Sequence, residues 1–178
     1  YLYCFQQSIS QVQAEDLSTN LELEVELQLK GKLDVLKSCA IALTHNNGVQ
    51  AAFIQDDFSI AERELNTLAE EFKQVDFRGT QFHLIRAGGS SLWRSYSNQR
   101  DDDNRHRAMF QKVIQQNKTI AGIELAQDGA ALRALSPVFD ADGSLLGVVE
   151  LDMGVGSISR FMQSQNNFYI LLVEKALV

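Results

Sequence analysis

The sequence predicts an α+β fold: a long N-terminal helix, then a mixed, mainly antiparallel sheet of about five to six strands flanked by helices. Two stretches carry that reading. In Thr119–Met153, Asp128-Gly129 and Asp142-Gly143 interrupt short apolar, β-branched-rich runs. Asp-Gly supplies the positive φ that hairpin turns need, so the stretch reads as a three-stranded antiparallel meander. In Gln7–Leu43, Leu21, Val25, Leu29, Leu33, Leu36, Ala40 and Leu43 follow one another at three- and four-residue steps, the period of a helix.

The helix has a competitor within it. Leu21–Leu29 alternates apolar and polar residues and taken alone reads as a strand. Yet Glu, Leu, Gln, Lys and Ala are strong helix formers, and the helical spacing continues past Leu29 where the alternation stops. The helix is therefore expected to run through, with Gly31 as its soft spot and His45-Asn-Asn-Gly48 as its stop. Leu23 and Leu27 lie off the main stripe, which predicts a second apolar side that pairs with another copy in a homodimer.

Asp57 or Ser59 caps a second helix reaching about Lys73, with Ile60, Leu65, Leu68, Ala69 and Phe72 as its stripe. Phe82–Arg86 and Leu92–Tyr96, separated by a Gly-Gly turn, form a hairpin. The loop Ser97–Asp103 leads to a helix from about Arg105 to Gln116, capped by Asp103 or Asn104. A short helix Ile158–Gln165 and a strand Phe168–Val173 follow the meander. The whole reads as a single domain, residues 1–178, with helices over 1–75 and a sheet module over 80–178.

Net charge -7 and a pI near 4.9 argue against a nucleic-acid partner, which needs a basic face. No apolar run reaches the roughly 18 residues of a membrane span, although Tyr1–Phe5 reads as the last turn of a membrane helix that precedes the chain. Cys4 and Cys39 on one continuous helix stand on the order of 50 Å apart, too far to bridge. No phosphate loop, nucleophile elbow, zinc signature or paired-Cys motif occurs, and three scattered histidines give no triad. The Asp101-Asp102-Asp103 run lacks the spacing of a calcium loop and reads as a solvated cap. Neither an enzyme nor a metal or cofactor protein is expected.

One residue is out of place. Arg133 sits mid-strand among Ala131, Leu132, Ala134 and Leu135, where an unpaired guanidinium would be costly to desolvate. Its partner is either a strand neighbour, Glu124 or Glu150, or the carboxylate of a bound small molecule, which the planar fork of Arg fits bidentately. His83, Trp93, Arg94 and Arg107 add cations and an aromatic, and together they suit a small anionic ligand. Each also has an ordinary reading, Trp93 as core mass and His83 as a hydrogen-bonded strand residue.

Residues 82–153 resemble the extracytoplasmic Cache sensor domains of bacterial methyl-accepting chemotaxis proteins and sensor histidine kinases. The resemblance falls on Leu92-Trp93-Arg94, on Arg107, on Gly122-Ile123-Glu124, on Leu132-Arg133-Ala134-Leu135-Ser136-Pro137-Val138-Phe139-Asp140 and on Gly147-Val148-Val149-Glu150. It departs in having Trp93 inside the Leu-Arg step. The resemblance implies a PAS-like sheet behind a membrane-proximal helix, a periplasmic location, and the ligand-binding role of a transmembrane chemoreceptor that signals across the membrane, with the sensor domain of a histidine kinase or a ligand-free structural or dimerisation module as the alternatives. It also implies a ligand of the acetate, propionate, lactate or pyruvate class, held by Arg133, Arg94, Trp93, His83, Arg107 and Glu124.

Overall fold

The computed structural model describes residues 2–75, 77–126 and 129–165. The chain divides into two compact units, residues 1–32 and residues 33–178. Helix α1, Leu2–Thr44, passes through the alternating Leu21–Leu29 segment and through Gly31 without a break. Local propensity and the helical spacing prevail over the alternation because strand pairing needs a neighbour, whereas a helix satisfies its own backbone. In the first unit Leu17, Leu23 and Leu27 are each more than half exposed.

In the second unit the end of α1 buries Leu36, Ala40 and Thr44, an i, i+4, i+8 stripe. The helix stops where expected, but the stop is also a start. Asn46 accepts a hydrogen bond from Val49 N at 2.9 Å and caps a helix, α2, Asn47–Gln55, that the sequence pattern does not predict. Asp56 closes α2 in left-handed backbone at φ 53°. Asp57 Oδ1 accepts from Ser59 N at 3.0 Å at the entry of α3, Ser59–Phe72.

Strands β1, Gln81–Arg86, and β2, Ser91–Arg94, form the expected hairpin. Helix α4, Ala108–Gln116, starts three residues later than expected, because the preceding loop is fastened to the hairpin by a bridge between Ser90 and Asp103. Strands β3, Ile120–Ala126, β4, Gly129–Phe139, and β5, Leu145–Gly154, make the meander, and α5 covers Gly156–Ser164. The order across the sheet is β2-β1-β5-β4-β3, and all four pairings are antiparallel. Gly143 takes φ 81° in the β4–β5 turn, where Asp140 Oδ1 accepts from the amides of Asp142 and Ser144. Gly129 pairs with Ala126 at the other turn; Asp128 of that turn and the expected strand Phe168–Val173 lie outside the described residues.

The register gives the sheet two different faces. Phe82, Leu84, Leu132, Ala134, Leu151 and Met153, all at 0% exposure, form one face. Helices α2 and α3 pack there, with Phe72 of α3 5.9 Å from the Phe82 ring. On the other face Ile85, Leu135 and Val148 pack under Met109, Phe110 and Val113 of α4. Helix α4 covers only part of that face, and charged side chains occupy the remainder.

Candidate functional site

Pairing alone assembles the charged patch. His83 on β1 stands between Arg94 on β2 and Glu150 on β5, and Arg133 on β4 stands between Gly122 on β3 and Asp152 on β5. Gly122 leaves open space beside Arg133, whose guanidinium reaches diagonally to Glu124 two residues further along β3. Above the patch runs the loop 95–107, tied to the hairpin through Ser91 N to Asp102 O, Asp101 N to Ser91 O and Asn104 N to Gly89 O.

Arg107, at the mouth of α4, is the hub. It grips Glu150 with two bonds, Nη1 to Oε2 at 2.7 Å and Nη2 to Oε1 at 2.8 Å, and gives Glu124 Oε2 a further bond of 2.6 Å. Arg133 Nη1 meets Glu124 Oε2 at 2.8 Å and Glu150 Oε1 at 3.3 Å. Both strand neighbours that the sequence offered for Arg133 are therefore engaged. Glu124 also accepts from Met109 N at 3.3 Å, so a carboxylate sits at the positive end of α4. Arg94 reaches the other way, with Nη2 on Asp102 and Nε on His83 Nε2 at 3.2 Å.

These contacts fix the proton on the histidine. Arg94 Nε can only donate, so His83 Nε2 is the acceptor and the neutral ring carries its hydrogen on Nδ1. Asn104 Nδ2 donates to Ser91 Oγ at 3.0 Å, which leaves the serine hydroxyl to donate to the same Nε2 at 2.7 Å. His83 Nδ1 then points at Glu150 Oε2, 3.6 Å away. Burial pushes the His83 imidazole below its ordinary value, and Glu150 reverses this only in part. Burial pushes the Glu150 carboxyl up, but His83 and the Arg107 guanidinium outweigh it and hold the acid well below the usual carboxylate range. The patch thus has three guanidiniums, Arg94, Arg107 and Arg133, facing Asp102, Glu124 and Glu150, with the buried Asp152 as a fourth carboxylate in register beside Arg133, around a neutral imidazole.

Of the residues singled out in the sequence, His83, Arg94, Arg107, Glu124 and Arg133 come together. Trp93 pairs with Leu84 and so lies on the opposite face, where its indole N–H donates to Glu62 of α3 at 3.3 Å. At the β2 edge Trp93 and Arg94 border a common cleft of about 320 Å³, with Tyr96, Asn66, Asn98 and Arg100 among its lining. The aromatic beside the cations is Tyr96, with the Arg94 guanidinium 5.8 Å from its ring. Asp102, Ser91 and Asn104 were missed. The expected solvated cap at 101–103 is corrected: Asp101 binds Arg86, Asp102 binds Arg94, and only Asp103 stays local, on Arg105.

The sequence profile of one family, dCache_3, described as the double sensory domain of two-component sensor kinase, matches residues 12–172. The chain belongs to this family. No curated protein matches the sequence. Among solved structures, this dCache_3 chain resembles the sensor domain of the histidine kinase DctB from V. cholerae, with a TM-score of 0.67 and 17% identity over 84% of this chain and 59% of that one. It also resembles the E. coli DcuS sensor domain, with a TM-score of 0.57 and 14% identity over 79% of this chain and 99% of that one. The ligand-binding domain of the Pseudomonas aeruginosa chemoreceptor PctC, solved in complex with GABA, aligns with a TM-score of 0.54 and 19% identity over 79% of this chain and 59% of that one. At these identities the likeness is one of fold. The chain spans about three-fifths of the DctB and PctC domains.

Proposed function

We propose that this chain is the extracytoplasmic ligand-binding module of a membrane receptor, a sensor and not an enzyme, that takes a small carboxylate against Arg133 and Arg94. The observation that carries the ligand is Arg133 Nε, which is buried without a hydrogen-bond partner in a patch whose other cationic donors are largely engaged. A carboxylate entering the cleft at the β2 edge would meet the Arg94 guanidinium and the Tyr96 ring first, and would reach the Arg133 donor on β4 only across β1 and β5. The acetate, propionate, lactate and pyruvate class is the finer form of the proposal. Of the two receptor types that the sequence resembles, the family description favours the sensor kinase over the chemoreceptor.

A second reading has its own support. Arg133 and Arg107 are already paired with Glu124 and Glu150, which is the arrangement of a closed patch that serves only to hold the module together. A melting screen with two- to four-carbon acids separates the two. A bound acid at about 100 times its dissociation constant adds roughly 2.7 kcal/mol of stability. Arg133→Ala and Arg94→Ala should then lose that shift and weaken calorimetric binding by on the order of 2–5 kcal/mol, beyond any loss of melting temperature. No shift with any acid in the panel leaves the structural reading standing.

A further inference from the structure

We infer that Arg86 is the positioning residue that fastens the loop over the charged patch to the α2–α3 corner, so that movement of the loop is felt at the end of α2. The guanidinium, at the last position of β1, touches three segments at once. Nε donates to Asp56 Oδ1 at 2.6 Å, and Nη1 donates to Asp101 Oδ1 at 2.9 Å and to the Ser91 carbonyl at 2.9 Å. Asp56 belongs to the end of α2, Asp101 to the loop, and Ser91 to the hairpin.

The two carboxylates share an uncommon backbone. Asp56 at φ 53° and Asp101 at φ 61° are two of the three non-glycine residues with positive φ among the described residues. Left-handed backbone is unfavourable for an L residue and persists where the surroundings fix it. Here one cation faces both, and it is the same cation. The Ser91 residue whose carbonyl Arg86 holds also gives its hydroxyl to His83, so the clamp is one residue away from the patch. On the other side Asp56 closes α2 through Ala52 O and Phe53 O, and the Phe53 ring lies against Gly147, the β5 residue paired with Arg86. Loop and helix end thus meet on a single side chain with no flexible segment between them.

The mechanical coupling stands by itself, and its use in signalling rests on the sensor reading. Hydrogen exchange on the ligand-free chain tests the coupling, read at the amides of Asp101 and Asn104 in the loop and Asp57 at the corner, all hydrogen-bonded. Asp56→Asn and Asp101→Asn each remove one ion pair while keeping a residue that tolerates left-handed backbone. Asp56→Asn should speed exchange of the loop amides about two- to fivefold, the scale of one partly exposed ion pair, and Asp101→Asn should do the same at Asp57. Arg86→Gln should do both, and the double Asp variant should exceed neither. If each Asp variant loosens only its own side, Arg86 is an ordinary surface pair and the coupling is refuted. Should Arg86→Gln fail to fold, the two Asp variants decide alone. Once an acid from the screen is shown to bind, its protection of Asn104 must extend to Asp57; protection confined to the loop overturns the signalling role and leaves the ligand reading intact.

Discussion

At the scale of single residues, His83 and Glu150 make stability depend on acid. His83 is buried neutral with its folded pKa lowered from 6.5, so the unfolded chain takes up the proton first. Its contribution is therefore complete above pH 6.5 and declines as pH falls below that value. Glu150, lowered from 4.5, contributes fully above pH 4.5 and loses its contribution as pH falls through its folded value. Denaturant unfolding should thus give constant stability between pH 8 and 7, a decline starting near 6.5 and a steeper one below 4.5, each bounded by about 1.4 kcal/mol per pH unit per proton. His83→Gln should abolish the upper limb and, by removing the ring N–H that faces Glu150, also shrink the lower one. The protonated ring would have to present N–H to Arg94 and reverse the Ser91 hydroxyl, which is why the cost falls on this face of the sheet. A stability profile that is flat from pH 7 to 5 would contradict the assignment.

At the scale of elements, two glycines differ in what surrounds them. Gly31 lies in the interior of α1, and a Cβ there would meet nothing within 4 Å. Gly31→Ala should raise helicity and stabilise by about 0.5–1 kcal/mol, because glycine loses the most backbone freedom in a helix. Gly147 lies where α2 presses on β5, and a Cβ would stand 2.4 Å from both Ile85 O and the Phe53 ring. Gly147→Ala should destabilise by about 1–3 kcal/mol, since a strand carbonyl cannot move aside without breaking the β1–β5 ladder. Circular dichroism melts of the two variants should shift in opposite directions; a neutral Gly147→Ala would mean that α2 is held less tightly than its packing indicates.

At the scale of the whole molecule, the open question is what meets Leu17, Leu23 and Leu27 on the first unit of the chain. Exposed leucines on one helix, with Leu23 and Leu27 one turn apart on the same side, are what a second copy would cover. The chain should sediment as a dimer, and Leu23→Glu with Leu27→Glu should make it a monomer while the sheet's melting transition is retained. A wild-type monomer at millimolar concentration would end the dimer proposal. No helix among the described residues is long and apolar enough to cross a membrane.

The sequence by itself determined the elements whose cause is local. The three- and four-residue spacing of Leu33, Leu36, Ala40 and Leu43 set α1, and Asp142-Gly143 set the β4–β5 turn. It also marked Arg133 as needing an acid and named Glu124 and Glu150 as candidates. It missed α2, because Asn46 and Asn47 signal a stop and a start with the same residues. Tertiary structure decided which face each strand side chain occupies. Alternation tells that Trp93 and Arg94 point apart, but only the pairing of His83 with Arg94 tells which of them joins the patch. It likewise decided that Asp101 and Asp102 hold arginines 15 and 8 residues away in sequence, because charge attraction is undirected and its partner is chosen by the fold that brings two groups within reach.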